Sequence, residues 1–131
     1  MRRILIVEDA PASRHALERL LKQEGYETVV AANGAEALAK LKAKPPDMIL
    51  LDHMMPEVDG LTFLSSIRRF PKWKKLPVIM LTGVRDRASL SQAQALGVKE
   101  YLMKSEVQGD ELVRQVNRHL GGDVEPTLNS L

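Results

Sequence analysis

The chain has 131 residues, the size of one ordinary domain able to bury its own core. With 44% apolar and 27% charged residues it has soluble globular composition, and no apolar run nears the roughly 18 residues of a membrane span. The absence of cysteine excludes a disulfide framework and thiolate chemistry, and a formal charge of +2 is too small to argue for nucleic acid.

The first apolar run, Ile4 to Val7, follows Met1-Arg2-Arg3. This imitates the start of a signal peptide only briefly, because Glu8 and Asp9 end it, so a cytoplasmic protein is expected. A first helix is expected where Leu17, Leu20 and Leu21 repeat at i, i+3, i+4, with Gly25 as its stop. The second run is Thr28 to Ala32. Asn33 then offers an N-cap with Glu36 three residues on, and Ala37, Leu38 and Leu41 form the stripe of a second helix. After the third run, Met48 to Leu51, a third helix follows the Asp59-Gly60 turn and carries Leu61, Leu64 and Ile67. Arg68 to Leu76 reads as a longer basic loop whose cluster Lys72, Trp73, Lys74 and Lys75 is expected to be solvated. The fourth run, Val78 to Leu81, precedes a helix from about Asp86 to Leu96, ended by Gly97, with a weak stripe of Leu90, Ala93 and Leu96. The fifth run, Tyr101 to Met103, precedes a helix carrying Leu112, Val113, Val116 and Leu120, stopped by Gly121-Gly122. One domain over residues 1–121 is expected, with 122–131 as a flexible tail or linker stub.

Four of these runs are continuous rather than alternating, which suits strands buried on both faces. Strand alternates with helix five times, so the expected fold is α/β, a doubly wound (βα)5 sandwich around a parallel sheet.

In open parallel sheets, ligands bind beyond the carboxyl ends of the strands. There the sequence puts Glu8 and Asp9 after strand one, Asp52 after strand three, Thr82 and Gly83 after strand four, and Lys104 after strand five. Singly, each has an ordinary reading: Asp9 as a helix cap, Asp52 as a turn residue, Thr82 as a β-former, Lys104 as a solvated charge. Together they differ. Three gathered carboxylates repel and resist ionising unless a cation neutralises them. An all-oxygen site with retained water suits Mg²⁺, and soft metals lack the cysteine they prefer. His15, His53 and His119 show no zinc-ligand spacing. A carboxylate can attack phosphorus to form an acyl phosphate, and Mg²⁺ with Lys104 would offset charge on the transferring oxygens. Thr82 would hydrogen-bond a phosphoryl oxygen, and Gly83 would leave the approach open.

These residues carry a likeness. From Arg3 to about Leu120 the chain resembles the receiver domains of bacterial two-component response regulators, chemotaxis-regulator-like. The most specific segment runs from Asp52 through Met55-Pro56 to Asp59-Gly60, supported by Glu8-Asp9, Thr82 and Lys104. The resemblance implies a flavodoxin-like strand order 2-1-3-4-5 and a phosphoryl group accepted on Asp52 from a sensor histidine kinase or phosphotransfer protein. It implies Mg²⁺ held by the side chains of Asp9 and Asp52, the backbone carbonyl of Met54, and Glu8 through water. Lys104 would pair with the acyl phosphate, and Thr82 would be drawn toward it. Tyr101 would swing into the space Thr82 leaves, although without the family it reads as a half-buried aromatic on a sheet. Helix four, strand five and helix five would then change shape for a downstream protein target. Such a domain assists its own phosphorylation and dephosphorylation without being a conventional turnover enzyme. It is expected as a monomer or phosphorylation-dependent dimer, with no membrane or direct nucleic-acid contact. One departure stands out: Ser105 follows Lys104 where the family usually has proline in a cis peptide. Either this peptide is trans, or the site holds a strained bond of about 2.5–4 kcal/mol.

Other readings compete. A phosphorylation-independent interaction module of the same fold has no reason to keep three crowded acids. An aspartate-nucleophile phosphohydrolase needs alternating aspartates after strand one, where this chain has adjacent Glu8-Asp9. A flavin protein needs a glycine- and hydroxyl-rich loop there, and Glu8-Asp9 would repel its phosphate. A nucleic-acid binder would have to rely on Lys72 to Lys75 alone.

Overall fold

The computed structural model describes residues 2–53, 55, 59–83 and 86–120. The expected carbonyl ligand at Met54, and the expected tail at 122–131, lie outside these residues. The elements are β1 (Arg3–Val7), α1 (Pro11–Gln23), β2 (Glu27–Ala31), α2 (Gly34–Ala43), β3 (Met48–Asp52), α3 (Gly60–Ile67), β4 (Val78–Thr82), α4 (Arg87–Ala95), β5 (Glu100–Met103) and α5 (Gly109–Leu120), with one 3-10 turn at Pro71–Trp73. The strands form one parallel sheet of order β2-β1-β3-β4-β5. This is the flavodoxin-like α/β arrangement that the sequence pattern and the resemblance imply.

Side-chain alternation divides the core. Leu5, Val7, Ile49, Leu51, Val78 and Met80 join Ala37, Leu41, Leu64, Ile67 and Ala93 on the face covered by α2, α3 and α4. Ile4, Ile6, Met48, Leu50, Ile79 and Leu81 join Leu21, Leu112, Val116 and Leu120 on the face covered by α1 and α5. The order reverses at β1, and right-handed crossovers running in opposite directions must lie on opposite faces. Every residue of β3 and β4 is buried, whereas edge strands β2 and β5 are mostly half-buried, as having one neighbour demands.

Local chemistry sets the element ends. Asn33 accepts the Glu36 N–H at 2.9 Å while the Glu36 carboxylate accepts the Ala32 N–H at 2.8 Å. Gly25 and Gly97 take φ of +93° and +76° just past α1 and α4, the left-handed turn that favours glycine. The basic loop departs from expectation. Lys72, Lys74 and Lys75 are exposed, but Trp73 is buried in the core. Arg68 explains this: its guanidinium donates to the carbonyls of Leu96 at 2.8 Å, Trp73 at 2.8 Å and Leu76 at 2.7 Å, folding the loop back onto the sheet. Among the described residues no helix is long and apolar enough to cross a membrane.

Candidate functional site

Strand register levels the carboxyl ends. Val7 sits beside Leu51, Asp52 beside Leu81, and Thr82 beside Met103. Glu8, Asp52, Thr82 and Lys104 therefore converge at the end of the sheet beside the β1–β3 switch, where the order reverses. Asp52 and Thr82 are the last residues of their strands rather than the first beyond them. The Lys104 N–H extends the ladder to the Thr82 carbonyl at 2.7 Å.

One oxygen each from Glu8, Asp9 and Asp52 lies within 4.8 Å of the others. Glu8 and Asp52 are almost wholly buried, and Asp9 is half-buried. Lys104 Nζ stands 3.0 Å from Glu8 Oε1 and 3.1 Å from Asp52 Oδ1, binding the pair together. Burial first, then the Glu8 charge, push the Asp52 carboxyl up to about 7 against the opposing pull of Lys104. Burial alone would weaken the Lys104 ammonium; hydrogen bonds and charge from Glu8 and Asp52 outweigh it and hold Lys104 above its ordinary value.

Asp9 does not cap α1. The cap position is Ala10, with no side-chain hydrogen bond, and its N–H goes to Glu8 Oε2 at 3.2 Å. That leaves the Asp9 carboxylate available to the acidic cluster. Among the described residues no peptide is cis, so Lys104–Ser105 is trans, and Lys104 still reaches both carboxylates. An added Cβ on Gly83 would meet nothing within 4 Å among the described residues.

Arg14, Gly60 and His53 take roles that the sequence reading did not give them. Arg14 donates to the carbonyls of Glu8 at 3.0 Å and Asp9 at 3.3 Å, fixing the acidic loop from behind. Gly60 opens α3 against β3: a Cβ there would lie 2.5 Å from the Asp52 carbonyl oxygen, so only glycine fits. The Asp59-Gly60 signal was legible as a turn, but the turn is also an N-cap, with Asp59 accepting the Thr62 N–H at 2.8 Å. His53 is buried, with Nδ1 at 3.4 Å from Thr82 Oγ1 and 3.5 Å from the Tyr101 hydroxyl. Tyr101 thus meets His53, in a half-buried setting on β5.

The donor set suits a hard divalent cation. Octahedral Mg²⁺ with oxygens at about 2.1 Å spans ligand pairs roughly 2.9–4.2 Å apart, so a set within 4.8 Å closes around one ion with a water at its widest position. Glu8 Oε1 is buried against the Lys104 ammonium at 3.0 Å, and as a carboxylate oxygen it keeps a second lone pair for an ion or its water.

The model of the response regulator receiver domain matches residues 4–117. The chain belongs to the response-regulator receiver family. This receiver domain is 34% identical over 119 residues to the chemotaxis protein CheY of Bacillus subtilis, covering 90% of this chain and 97% of that protein. It is 35% identical over 129 residues to the probable transcriptional regulator ycf27 of Cyanophora paradoxa, covering 98% of this chain but 52% of that protein, so it spans about half of that relative. Among solved structures, the chemotaxis protein CheY4 of Vibrio cholerae superposes with a TM-score of 0.85 at 31% identity, over 92% of this chain and 99% of that one. Receiver domains are signalling modules of two-component systems that interact with histidine kinases or phosphotransfer proteins and with downstream targets. The acidic cluster fits metal binding.

Proposed function

We propose that this receiver domain is a switch phosphorylated on Asp52 with Mg²⁺ bound at Glu8, Asp9 and Asp52. One observation carries the reading: oxygens of those three acids meet within 4.8 Å, with Lys104 touching two of them. The ion, when bound, offsets negative charge on the transferring phosphoryl oxygens. The chain's own residues do the rest. An Asp52 carboxylate oxygen attacks the phosphorus of a phosphohistidine donor, an O–P bond forms, the N–P bond breaks, and the donor imidazole leaves with the electron pair. Burial strengthens Asp52 as a nucleophile by destabilising its charge. The Lys104 ammonium, already at 3.1 Å, follows the charge from carboxylate to phosphoryl oxygen. Thr82, one residue beyond the Asp52 partner Leu81 on the next strand, donates its hydroxyl to a second phosphoryl oxygen. Asp9 and Asp52 would hold the ion with their side chains, and Glu8 would do so through water.

The output face is α4, β5 and α5. A groove there is lined by Leu90, Tyr101, Leu102 and Val107 and rimmed by Asp86 and Glu106, which supports a partner site whose shape depends on Tyr101. The domain assists its own phosphorylation by the donor and its own dephosphorylation, rather than turning over a free substrate.

Incubation with Mg²⁺ and acetyl phosphate, read by intact mass, tests the proposal. The parent chain gains one phosphoryl group and Asp52→Asn gains none. Equal modification of the two, or none in either, refutes it. A phosphorylation-independent module would in addition show no saturable Mg²⁺ binding.

A further inference from the structure

The mechanism above leaves one buried polar side chain unused. His53 follows Asp52, and its N–H donates to the Leu81 carbonyl at 2.8 Å, continuing the β3–β4 ladder past the strand. Alternation sends its ring to the face opposite the Asp52 carboxylate, where Leu51, Met80 and Tyr101 pack. A single atom, Nδ1, lies 3.4 Å from Thr82 Oγ1 and 3.5 Å from the Tyr101 hydroxyl. The His53 and Tyr101 rings also touch, 6.3 Å between centroids and tilted by 54°.

An imidazole nitrogen carries one lone pair or one hydrogen, according to tautomer. Whichever it carries, it gives full strength to only one hydroxyl at a time. Both distances sit at the long limit of hydrogen bonding, as expected of a shared partner, and such bonds exchange at little cost. We propose that His53 is a positioning residue that couples Thr82 to Tyr101, one ring nitrogen serving both hydroxyls. When Thr82 turns to a phosphoryl oxygen, His53 Nδ1 passes wholly to Tyr101 and draws its ring toward the sheet. The event at Asp52 thereby reaches the groove that Tyr101 lines. The trigger rests on the proposed phosphorylation, but the coupling is a property of the free protein.

The chain holds two tyrosines, Tyr26 and Tyr101, so 3-fluorotyrosine labelling gives two fluorine resonances, assigned with Tyr101→Phe. Two arms follow. In the free protein, Thr82→Val removes the competing hydroxyl at nearly constant shape. The Tyr101 resonance then shifts, in the same direction as when Mg²⁺ and beryllofluoride saturate the parent. In His53→Phe and His53→Leu, which lack the nitrogen, the Thr82→Val shift falls to about half or less, as for a pair whose connection is cut. His53→Asn, whose amide restores a polar atom near Nδ1, recovers it. A purely structural role for His53 would leave the Thr82→Val shift unchanged across this series, and that result overturns the proposal. In the second arm, beryllofluoride still binds the nitrogen-free variants, but the Tyr101 resonance moves by about half as much or less. A full Tyr101 response in those variants overturns the coupling. A parent that ignores beryllofluoride while its Thr82→Val shift depends on His53 would sink the phosphoacceptor reading and leave the coupling standing.

Discussion

Asp52→Asn removes one charge from the site at almost constant size, and its effect on stability follows from the electrostatics. Asp52 is 3% exposed, and burial with the Glu8 charge raises its carboxyl from 3.8 to about 7. The unfolded chain ionises near the ordinary value. Between about pH 4 and pH 7 the native state therefore holds a proton that the unfolded state has lost, and stability falls as pH rises through that window. Above pH 7 the whole penalty is in force. At about 1.4 kcal/mol per tenfold change in the equilibrium, it is on the order of 4 kcal/mol. Asparagine removes that cost, which is already net of the Lys104 attraction, but buries an amide NH2 in its place, which returns part of it. The expected net gain is about 2 kcal/mol at pH 8 in the presence of a chelator, shrinking toward zero near pH 4. Urea denaturation can be followed by Trp73, the single tryptophan, which is buried and reports unfolding by its emission. With a slope of about 1–3 kcal/mol per molar, the midpoint should rise by roughly 1 M. Excess Mg²⁺ should stabilise the parent and leave the variant unmoved. A variant less stable than the parent at pH 8 without metal would show that the Lys104 pairing outweighs burial and repulsion, and the reasoning would fail.

Four other expectations follow from the same structure. Mg²⁺ affinity should fall about tenfold per pH unit below 7, where Asp52 holds its proton, and level off above 7; calorimetry across pH 5.5 to 8.5 checks the breakpoint, whose absence would place the ionisation elsewhere. Lys104→Met should tighten Mg²⁺ binding, because the two buried acids lose the ammonium that contacts both and competes with the ion, while slowing phosphoryl uptake from acetyl phosphate at saturating Mg²⁺; a titration and a rate separate the two effects. Gly60→Ala should cost about 1–3 kcal/mol, because a methyl 2.5 Å from the Asp52 carbonyl forces α3 and β3 apart; unchanged thermal unfolding would contradict the close approach. Arg68→Met should cost about 2–4 kcal/mol by stripping charged donors from three carbonyls, and Trp73 emission in the native state should shift toward that of a more exposed indole.

Most of the fold was legible because its strands are short continuous apolar runs, and their order on the chain fixes their alternation with helices. The limits were misjudged by single residues where the deciding contact is tertiary. β2 stops at Ala31 because the Ala32 N–H is taken by the Glu36 carboxylate instead of the ladder. Trp73 read as a loop residue because its neighbours are lysines; only the Arg68 guanidinium, bonded across to Leu96, reveals why the loop folds inward. At the site, Glu8, Asp9, Asp52, Thr82 and Lys104 could be found because each ends or follows a strand, and parallel strands end together. The ordinary alternative for Asp9, a helix cap, fails because Glu8 accepts the Ala10 N–H at the start of α1. Adjacency to Asp52 puts His53 beside the reactive groups, but its meeting with Thr82 and Tyr101 needs the β3–β4–β5 register, which no sequence spacing of 29 or 48 residues announces.

The position of Lys104 along the chain has a consequence for how the molecule is made. A ribosome releases Glu8, Asp9 and Asp52 well before the lysine that holds two of them together. Since β1 and β3 pair directly, a nascent chain that has reached α3 can already press buried anions against each other. The last strand to arrive thus precedes the ammonium that contacts both Glu8 and Asp52, so this ion pair forms only once β5 has joined the sheet.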